Sequence, residues 1–330
     1  MKKILLLFSI CIILVGCGNY SSKNLEKDLE KKINKLKSYQ IEGNLEITSN
    51  DDVYKYKVEA DYKKDDNFRV SLTNQTNNHK QIILKNKNGV YVLTPSLNKS
   101  FKFQSDWPYN NSQSYLLQTL LSDIQNDSEK TYKETKNHYI YTLAANYPNN
   151  TDLVKQKIYF TKDLKPCKVE VMNENNDILI KMTFTKVKWN PSLKNKNFEL
   201  ENNMDVSKEE ESTKEVSEID ESIFPMYIPE NTKLTNTETV FLDDGERVIM
   251  TFEGDSPFMF IKQTASTSDK LVIESVYGEP YQIATGVAAV SDNMITWTSN
   301  GLEYYVVSEK MSDEELVSVA SSLATMPVSK

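Results

Sequence analysis

The feature that most constrains this 330-residue chain is a period-two alternation of apolar and polar side chains that begins at Tyr39. Side chains of a β-strand point alternately to its two faces, so this period predicts strands with one apolar and one polar face. A turn signal at Asn88-Gly89 separates two such runs, as expected for antiparallel neighbours. We therefore predict an antiparallel meander with one dry face and one wet face. The apolar positions of the first three runs are Tyr39, Ile41, Gly43, Leu45 and Ile47, then Tyr54, Tyr56, Val58, Ala60 and Tyr62, then Phe68, Val70 and Leu72.

Two segments carry the spacing of a helix instead. Residues 24–37 place four apolar side chains on one face, with Asn24 as the expected N-cap, and predict a short amphipathic helix. The stretch SYLLQTLLSDI, which follows Trp107-Pro108, predicts a single strongly apolar helix inserted in the sheet. We expect this second helix to cover the concave face of the sheet. The apolar positions are Leu25, Leu29, Ile33 and Leu36 in the first helix, and Leu116, Leu117, Leu120, Leu121 and Ile124 in the second.

The N-terminus has the pattern of a secretion signal. Two lysines precede an apolar run over residues 4–15, which at about 1.5 Å per helical residue is too short for the ~30 Å core of a bilayer. The run ends in Leu14-Val15-Gly16-Cys17, which resembles a bacterial lipobox. That resemblance implies removal of residues 1–16 and a diacylglyceryl lipid on Cys17, which would anchor the chain to the outer face of the cytoplasmic or forespore membrane. The alternative is an uncleaved anchor with an incidental cysteine.

The residue inventory excludes several classes of enzyme. The chain has two histidines, His79 and His138, and no HExxH or CxxC, so a zinc site is not expected. Nine glycines form no GxGxxG and no P-loop, and we expect no cofactor. Cys167 is the one cysteine left in the mature chain, and we interpret it as a strand residue. The chain is therefore predicted not to be an enzyme, although counting leaves a glycosidase-like pair of carboxylates open.

Charge and length predict two folded domains. Residues 205–222 hold eight acidic and two basic residues, a net charge of −6 out of −8 for the whole chain. This run is interpreted as a solvated linker, with an acidic docking tail as the alternative. No basic patch supports binding to nucleic acid. The predicted organisation is a signal peptide (1–16), a lipidated N-terminus with an amphipathic helix (17–38), a strand-rich domain (39–204), the acidic linker (205–222) and a small α+β domain (223–330).

The strand-rich domain resembles the LolA/LolB lipoprotein-carrier superfamily, and most closely its Gram-positive sporulation and germination lipoproteins of the YdcC and GerS type. The resemblance is carried by the order and spacing of DYKKDDNFRVSL, NKNGVYVLTPSLNKSFKFQSDWP, SYLLQTLL, KIYFTKDLKPCKVEV and DILIKMTFTKVKWNPSL. It implies an α+β, mostly antiparallel fold, in which a half-open β-barrel of about eleven strands wraps around a helix. The C-terminal domain is similar to the DUF4367 type, and the capping box that begins at Ser312 predicts a helix there.

The resemblance also implies an apolar cavity between the helix and the sheet, able to take acyl chains. Lys64 stands where the carriers have a basic residue that contacts a lid, but Asp65 replaces the proline that follows there. Because lysine lacks the planar fork of arginine, lid-controlled release is not expected. An apolar face that fills itself and one that awaits lipid have the same sequence pattern, so an ordinary closed core is the alternative. The residues expected to line the cavity are Leu116, Leu117, Leu120, Leu121, Met182 and Phe184.

Two functions follow from these observations. In the first, the domain binds an acyl chain, a lipoprotein or a protein partner during sporulation or spore germination. In the second, it is an interaction scaffold without transport, for which the germination relatives suggest a spore-cortex peptidoglycan amidase as partner. A converging pair of carboxylates about 5 to 9 Å apart in a polar groove would instead indicate an enzyme.

Overall fold

A computed structural model describes residues 20–204, 219–220, 222–243, 245–267 and 270–325. The fold is α+β and mostly antiparallel β, as predicted. Within the described residues, no helix is both long enough and apolar enough to cross a bilayer. The α-helices are α1 (Ser22–Asn34), α2 (Leu117–Asn126), α3 (Leu200–Asn203) and α4 (Asp313–Ser321), with 3₁₀ turns at Pro95–Leu97 and Asn195–Phe198.

The strands fall into two groups along the chain. The first group is β1 (Ser38–Ser49), β2 (Asp52–Lys63), β3 (Asn67–Asn74), β4 (Lys80–Asn86), β5 (Gly89–Thr94), β6 (Lys99–Phe103), β7 (Thr131–Glu134), β8 (His138–Ala144), β9 (Lys155–Thr161), β10 (Pro166–Met172) and β11 (Ile178–Trp189). The second is β12 (Ile223–Pro225), β13 (Thr232–Leu242), β14 (Gly245–Gly254), β15 (Phe258–Thr264), β16 (Val272–Val276), β17 (Gly278–Ile283), β18 (Gly286–Ser291), β19 (Met294–Ser299), β20 (Leu302–Val307) and β21 (Leu323–Thr325).

The first eleven strands form one open antiparallel sheet, and β16 adds to its edge. The order is β16-β6-β5-β4-β3-β2-β1-β11-β10-β9-β8-β7, and the sheet has two free edges rather than closing into a barrel. Every pairing is antiparallel except β16 with β6, which is parallel. The predicted strand number and direction are therefore confirmed for the first domain. Cys167 lies in β10, as predicted.

Two helices, rather than the single helix predicted, contribute to the core of this sheet. The buried faces of α1 and α2 belong to one hydrophobic cluster with β1 to β6 and β8 to β11. Helix α1 begins at Ser22, because the N-cap is Ser21, three residues before the predicted cap Asn24, and its side chain accepts a hydrogen bond from Asn24 N. Helix α2 begins at Leu117, and Leu116 is its cap residue in extended conformation. The predicted apolar faces of both helices are confirmed.

Strands β4 and β5 are buried on both faces, which corrects the expectation of one dry and one wet face. Ile83, Val90 and Val92 face the main core, whereas the alternate residues of both strands form a second cluster on the opposite face. The segment after β11 crosses this outer face and shields it from water. Continuous apolar runs such as QIIL and VYVL are typical of strands covered on both sides. The outer cluster contains Ile82, Leu84, Tyr91, Leu93, Phe198 and Met204.

Gly43 lies where strands β1 and β11 approach each other too closely for a side chain. The pairing of β1 with β11 shifts between Glu42 and Gly43, which is the geometry of a β-bulge. A Cβ atom on Gly43 would clash with the carbonyl oxygen of Thr183 and with Cε of Met182. Glycine at this position therefore lets the Met182 side chain lie across the bend in the sheet.

The second group of strands forms a smaller unit with its own core. Seven strands are ordered β13-β14-β15-β20-β19-β18-β17, all antiparallel, and β12 pairs separately with β21. Helix α4 packs on β17 to β20. The predicted capping box is confirmed, since Ser312 and Glu315 exchange side chain to backbone hydrogen bonds. Trp297 and Tyr304 are buried and stacked, with ring centroids 5.1 Å apart.

Buried polar contacts join the two units. Tyr56 OH donates to Ala284 O at 2.7 Å, and Val287 N donates to Oε1 of buried Gln81 at 2.8 Å. Lys99 Nζ lies 2.9 Å from a carboxylate oxygen of Glu303 and 2.9 Å from one of Glu274. Since β16 also pairs with β6, the C-terminal segment completes the first sheet as well as forming its own. The predicted domain boundaries remain a prediction, and residues 205–218 lie outside the described residues.

Candidate functional site

The predicted acyl-binding residues lie together, and they are buried. Their side chains, from α2 and its cap and from β11, belong to the main core with 0 to 9% of their surface exposed. Three clefts of the structure, two of which are described below, are lined by other residues. The six side chains thus fill the space between the helices and the sheet, which is the arrangement of a closed core. They are Leu116, Leu117, Leu120, Leu121, Met182 and Phe184.

A buried polar frame fixes the start of α2 over the sheet. Thr119 Oγ1 donates to Gln113 O at 2.9 Å and to Leu116 O at 3.0 Å. Asp123 Oδ2 accepts hydrogen bonds from Ser112 Oγ and Gln156 Nε2, both at 2.8 Å. Burial raises the pKa of the Asp123 carboxyl, against the opposing effect of these two donors. These hydrogen bonds give partners to polar groups that would otherwise be buried in the apolar interior without one.

The predicted lid residue Lys64 lies in an exposed turn between β2 and β3. Polar contacts to the segment after Trp107 come instead from Asp66, which accepts from Tyr109 OH at 2.6 Å and pairs with Lys85 Nζ at 2.7 Å. Asp66 was not singled out by the sequence, because its partners are 19 and 43 residues away. The predicted lipidation residue, Cys17, lies outside the described residues.

The largest of the three clefts lies at the junction of the two units and has a volume of about 470 Å³. One wall is the end of the first sheet, formed by β1, β11 and the loop before β9. The opposite wall is formed by α4, the end of β17 and Tyr227. A volume of this size is in the range of small-molecule and peptide side-chain pockets. Its apolar lining residues are Ile47, Leu153, Leu179, Ile180, Tyr227, Ile283, Ala284 and Val317.

Hydrogen bonds across the cleft hold its two walls at a fixed separation. Ser49 Oγ donates to Ser321 O at 2.7 Å, and Asn50 Nδ2 donates to Ser322 O at 2.9 Å. Thr151 Oγ1 donates to Glu314 Oε1 at 2.8 Å. All of these join the first sheet unit to α4 or to the residue just after it. The cleft is therefore built by the packing of both units.

Two buried polar atoms at or beside the cleft have no hydrogen-bond partner among the described residues. One is Oε1 of Gln282, which lines the cleft, and the other is the hydroxyl of Tyr281, which lines a void beside it. Ile180 and Gln282 line the cleft and also a small neighbouring void of about 20 Å³, which Tyr281 and Tyr115 line as well. Burial raises the pKa of Tyr281, so its hydroxyl keeps its proton and can donate a hydrogen bond. The cleft thus carries one unmatched acceptor, and the void beside it carries one unmatched donor.

The rim of the cleft is polar and carries the carboxylates of Asp152 and Glu314. Asp152 is exposed and Glu314 is half-buried, so both contact water. Among the described residues, no group of three histidine, cysteine or acidic side chains could hold a metal ion. This geometry is suited to binding.

The sequence did not indicate this cleft. Its walls come from residues 47–50, 150–153, 179–180, 282–284 and 314–322, which no local periodicity connects. The only local signal would be the strand YQI in β17, where the polar Gln282 stands next to buried Tyr281 and Ile283. Alternation of this kind is equally typical of a surface strand.

Comparison with known proteins agrees with the expected family. A sequence profile described as "Sporulation protein YdcC-like" matches residues 1–198. The chain is 34% identical over 314 residues to "Sporulation protein YdcC" of Bacillus subtilis (strain 168), covering 94% of this chain and 93% of that protein.

Two solved structures show weaker similarity. The crystal structure of MucB is 12% identical with a TM-score of 0.37, and the match covers 94% of this chain and 99% of MucB. A LolA superfamily protein from Nitrosomonas europaea, NE2245, is 14% identical with a TM-score of 0.30, over 55% of this chain and 98% of that protein. The profile match and the B. subtilis relative together establish that the chain belongs to the YdcC-like sporulation protein family.

Proposed function

We propose that this protein is a membrane-anchored binding protein of sporulation, and that its junction cleft binds a peptide segment of a partner protein. The observation that carries the proposal is Gln282, which lines the cleft between apolar walls and whose buried Oε1 has no hydrogen-bond partner among the described residues. A peptide offers both an N–H donor and a carbonyl acceptor, together with a side chain that the apolar walls can cover.

A bare acyl chain fits this cleft less well. It has no donor to offer to Gln282 Oε1, which would stay unmatched, and an unmatched buried group costs about 1–3 kcal/mol. The space between α2 and the sheet, where a carrier would hold acyl chains, is filled by the six buried side chains named above. A binding scaffold is thus favoured over an acyl carrier.

The setting of this function is proposed from the sequence. The B. subtilis relative is named a sporulation protein, and we propose a sporulation role for this chain as well. The lipobox-like Leu14-Val15-Gly16-Cys17 supports anchoring through a lipid on Cys17 at the outer face of the membrane. The partner class suggested by the resemblance to germination lipoproteins is a peptidoglycan amidase of the spore cortex.

The test is a capture experiment from sporulating cells with a variant that fills the cleft. Ser318 lines the cleft on the half-exposed side of α4, and Ser318→Phe would occupy it. Ser122→Phe, on the half-exposed side of α2, is the matched control. We expect the full-length protein and the control to retain the same specific partner, and Ser318→Phe to lose at least about tenfold of it, the equivalent of about 1.4 kcal/mol.

A second measurement separates the two ligand classes. Lipid extraction and mass spectrometry of the same purified samples would detect acyl chains other than the one on Cys17. A stoichiometric acyl ligand that Ser318→Phe leaves bound, with no partner protein captured, would overturn the proposal in favour of a carrier.

A further inference from the structure

The exposed face of α1 carries a stripe formed by Lys23, Lys27, Lys31 and Lys35. Residues four apart lie about 40° apart around a helix, so these lysines follow one another along a single face, and the stripe is about 18 Å long. Its centre is about 180° from the centre of the buried face, which comprises Leu25, Leu29, Ile33 and Leu36. The stripe therefore points directly away from the body of the protein.

The other charged side chains of α1 lie away from the centre of the stripe. Glu26 pairs with Lys130 at 3.3 Å, and Asp28 accepts a hydrogen bond from Tyr20 OH. Lys32 Nζ donates to Asp163 O at 2.6 Å and lies 5.1 Å from the centroid of the Trp189 ring. Glu30 lies at the border of the stripe, about 80° from its centre.

The four stripe lysines differ from these in their contacts. Within the described part of the chain, none of them forms an ion pair. Of the three carboxylates of α1, Glu26 is the one that forms an ion pair within the described part of the chain, and Asp28 and Glu30 each lie about 80° from the centre of the stripe. The four lysines are the charged side chains within about 60° of that centre, so the middle of the outward face is positive.

The covalent chain fixes where this face can be. Only three residue steps separate Cys17 from Tyr20, the first described residue, and they span at most about 11 Å. Tyr20 is held on the body of the protein, because its N–H donates to Glu134 Oε2 at 3.0 Å and its ring lies 5.4 Å from that of Tyr139. If Cys17 carries the lipid, the start of α1 cannot leave the membrane surface.

We infer that the lysine stripe of α1 docks on an anionic lipid surface and sets the orientation of the protein on the membrane. This inference rests on the proposed lipid anchor at Cys17 and names the face that the anchor presents to the bilayer. A row of lysines beside a lipid anchor is the pattern in which acyl and electrostatic attachment reinforce each other. Each lysine near an anionic bilayer strengthens attachment about fivefold.

The first test uses the lysines as their own probes. The full-length protein purified from membranes would be placed on vesicles of phosphatidylcholine alone and on vesicles that also contain phosphatidylglycerol. Acetylation of each lysine is then followed by mass spectrometry. We expect the four stripe lysines to be protected only on the anionic vesicles and to lose protection at high salt. Exposed lysines on other elements should not change, and suitable internal controls are Lys87, Lys194, Lys196 and Lys233.

The second test compares two variants of equal charge. K23Q/K27Q/K31Q/K35Q should dissociate from anionic vesicles at least about tenfold faster than the control K87Q/K194Q/K196Q/K233Q. The two should dissociate at the same rate from phosphatidylcholine vesicles. Equal rates on anionic vesicles, or protection that appears only when a co-purifying protein is bound, would overturn the inference.

The presence of the lipid on Cys17 is measured separately from the role of the lysine stripe. The mass of the N-terminal peptide reports whether Cys17 carries lipid, whatever the lysines do. If it carries none, the proposed anchoring is wrong, and binding of the two variants to anionic vesicles still decides the role of the stripe.

Discussion

Truncation of Leu120 would measure whether the space between α2 and the sheet is a closed core. Leu120 is 1% exposed and belongs to the main core, in which α2 contacts α1 and β8. Leu120→Ala removes three carbon atoms, which at ~0.8 kcal/mol each is about 2.4 kcal/mol of lost burial. The surrounding side chains relax only partly, so a cavity remains and raises the total to about 3–4 kcal/mol. A leucine that lined an open or water-filled cavity would leave no new void and would cost far less.

The assay is urea unfolding followed by circular dichroism, with hydrogen exchange of the α2 peptide as a local readout. Leu234→Ala is the matched control, because Leu234 is 38% exposed on the edge strand β13. We expect the control to cost less than about 1 kcal/mol. If Leu120→Ala lowers the free energy of unfolding as little as the control does, with an unchanged dependence on urea concentration, the interior is open. That result would support the acyl-carrier hypothesis.

Two further predictions concern buried charges. Lys99→Met should lower the free energy of unfolding by about 3 kcal/mol, because it leaves the carboxylate of Glu303, which is 4% exposed, without its cation. The control Lys87→Met, at an exposed position, should lower it by less than about 0.5 kcal/mol. A loss no greater than that of the control would refute the pairing. Asp123 has a raised pKa in the fold, so its contribution to stability is present below the unfolded pKa and is lost as pH rises through the folded pKa. Asp123→Asn should therefore gain stability relative to the unmodified protein as the pH rises above about 4, the unfolded pKa of aspartate. Thermal melts at several pH values would show this, and a pH-independent difference would contradict it.

The strands and both long helices could be predicted from the sequence because each has a local cause. The alternation from Tyr39 to Leu72 matches the strands β1 to β3, and the apolar residues of α1 and α2 recur with the period of a helix. The predicted and observed ends of these elements differ by a few residues, for local reasons. Asn24 is the predicted cap of α1, although Ser21 is an equally good cap and begins the helix earlier.

Features that depend on distant residues could not be predicted. The second apolar face of β4 and β5 needs the segment that ends in Phe198 and Met204 to cover it, and neither strand indicates what its cover is. The pairing of β16 with β6 joins residues more than 170 positions apart, through a strand of five residues. Strand pairing of this kind is decided by the packing of the two units, so a single short apolar run such as VIESV carries no information about its partner.

The same reasoning explains why the predicted site and the candidate site differ. Both hypotheses began from a sheet with one apolar face, and such a face can be covered from within or can hold a ligand. Here α1 adds a second helix to the cover that α2 provides, and bulky residues such as Tyr39, Tyr115 and Phe160 fill the remaining space. A scaffold whose interior is filled by its own side chains has to bind a partner at its surface. We propose the junction cleft as that place, because hydrogen bonds hold its two walls at a fixed separation and the buried Oε1 of Gln282, which lines it, has no partner among the described residues.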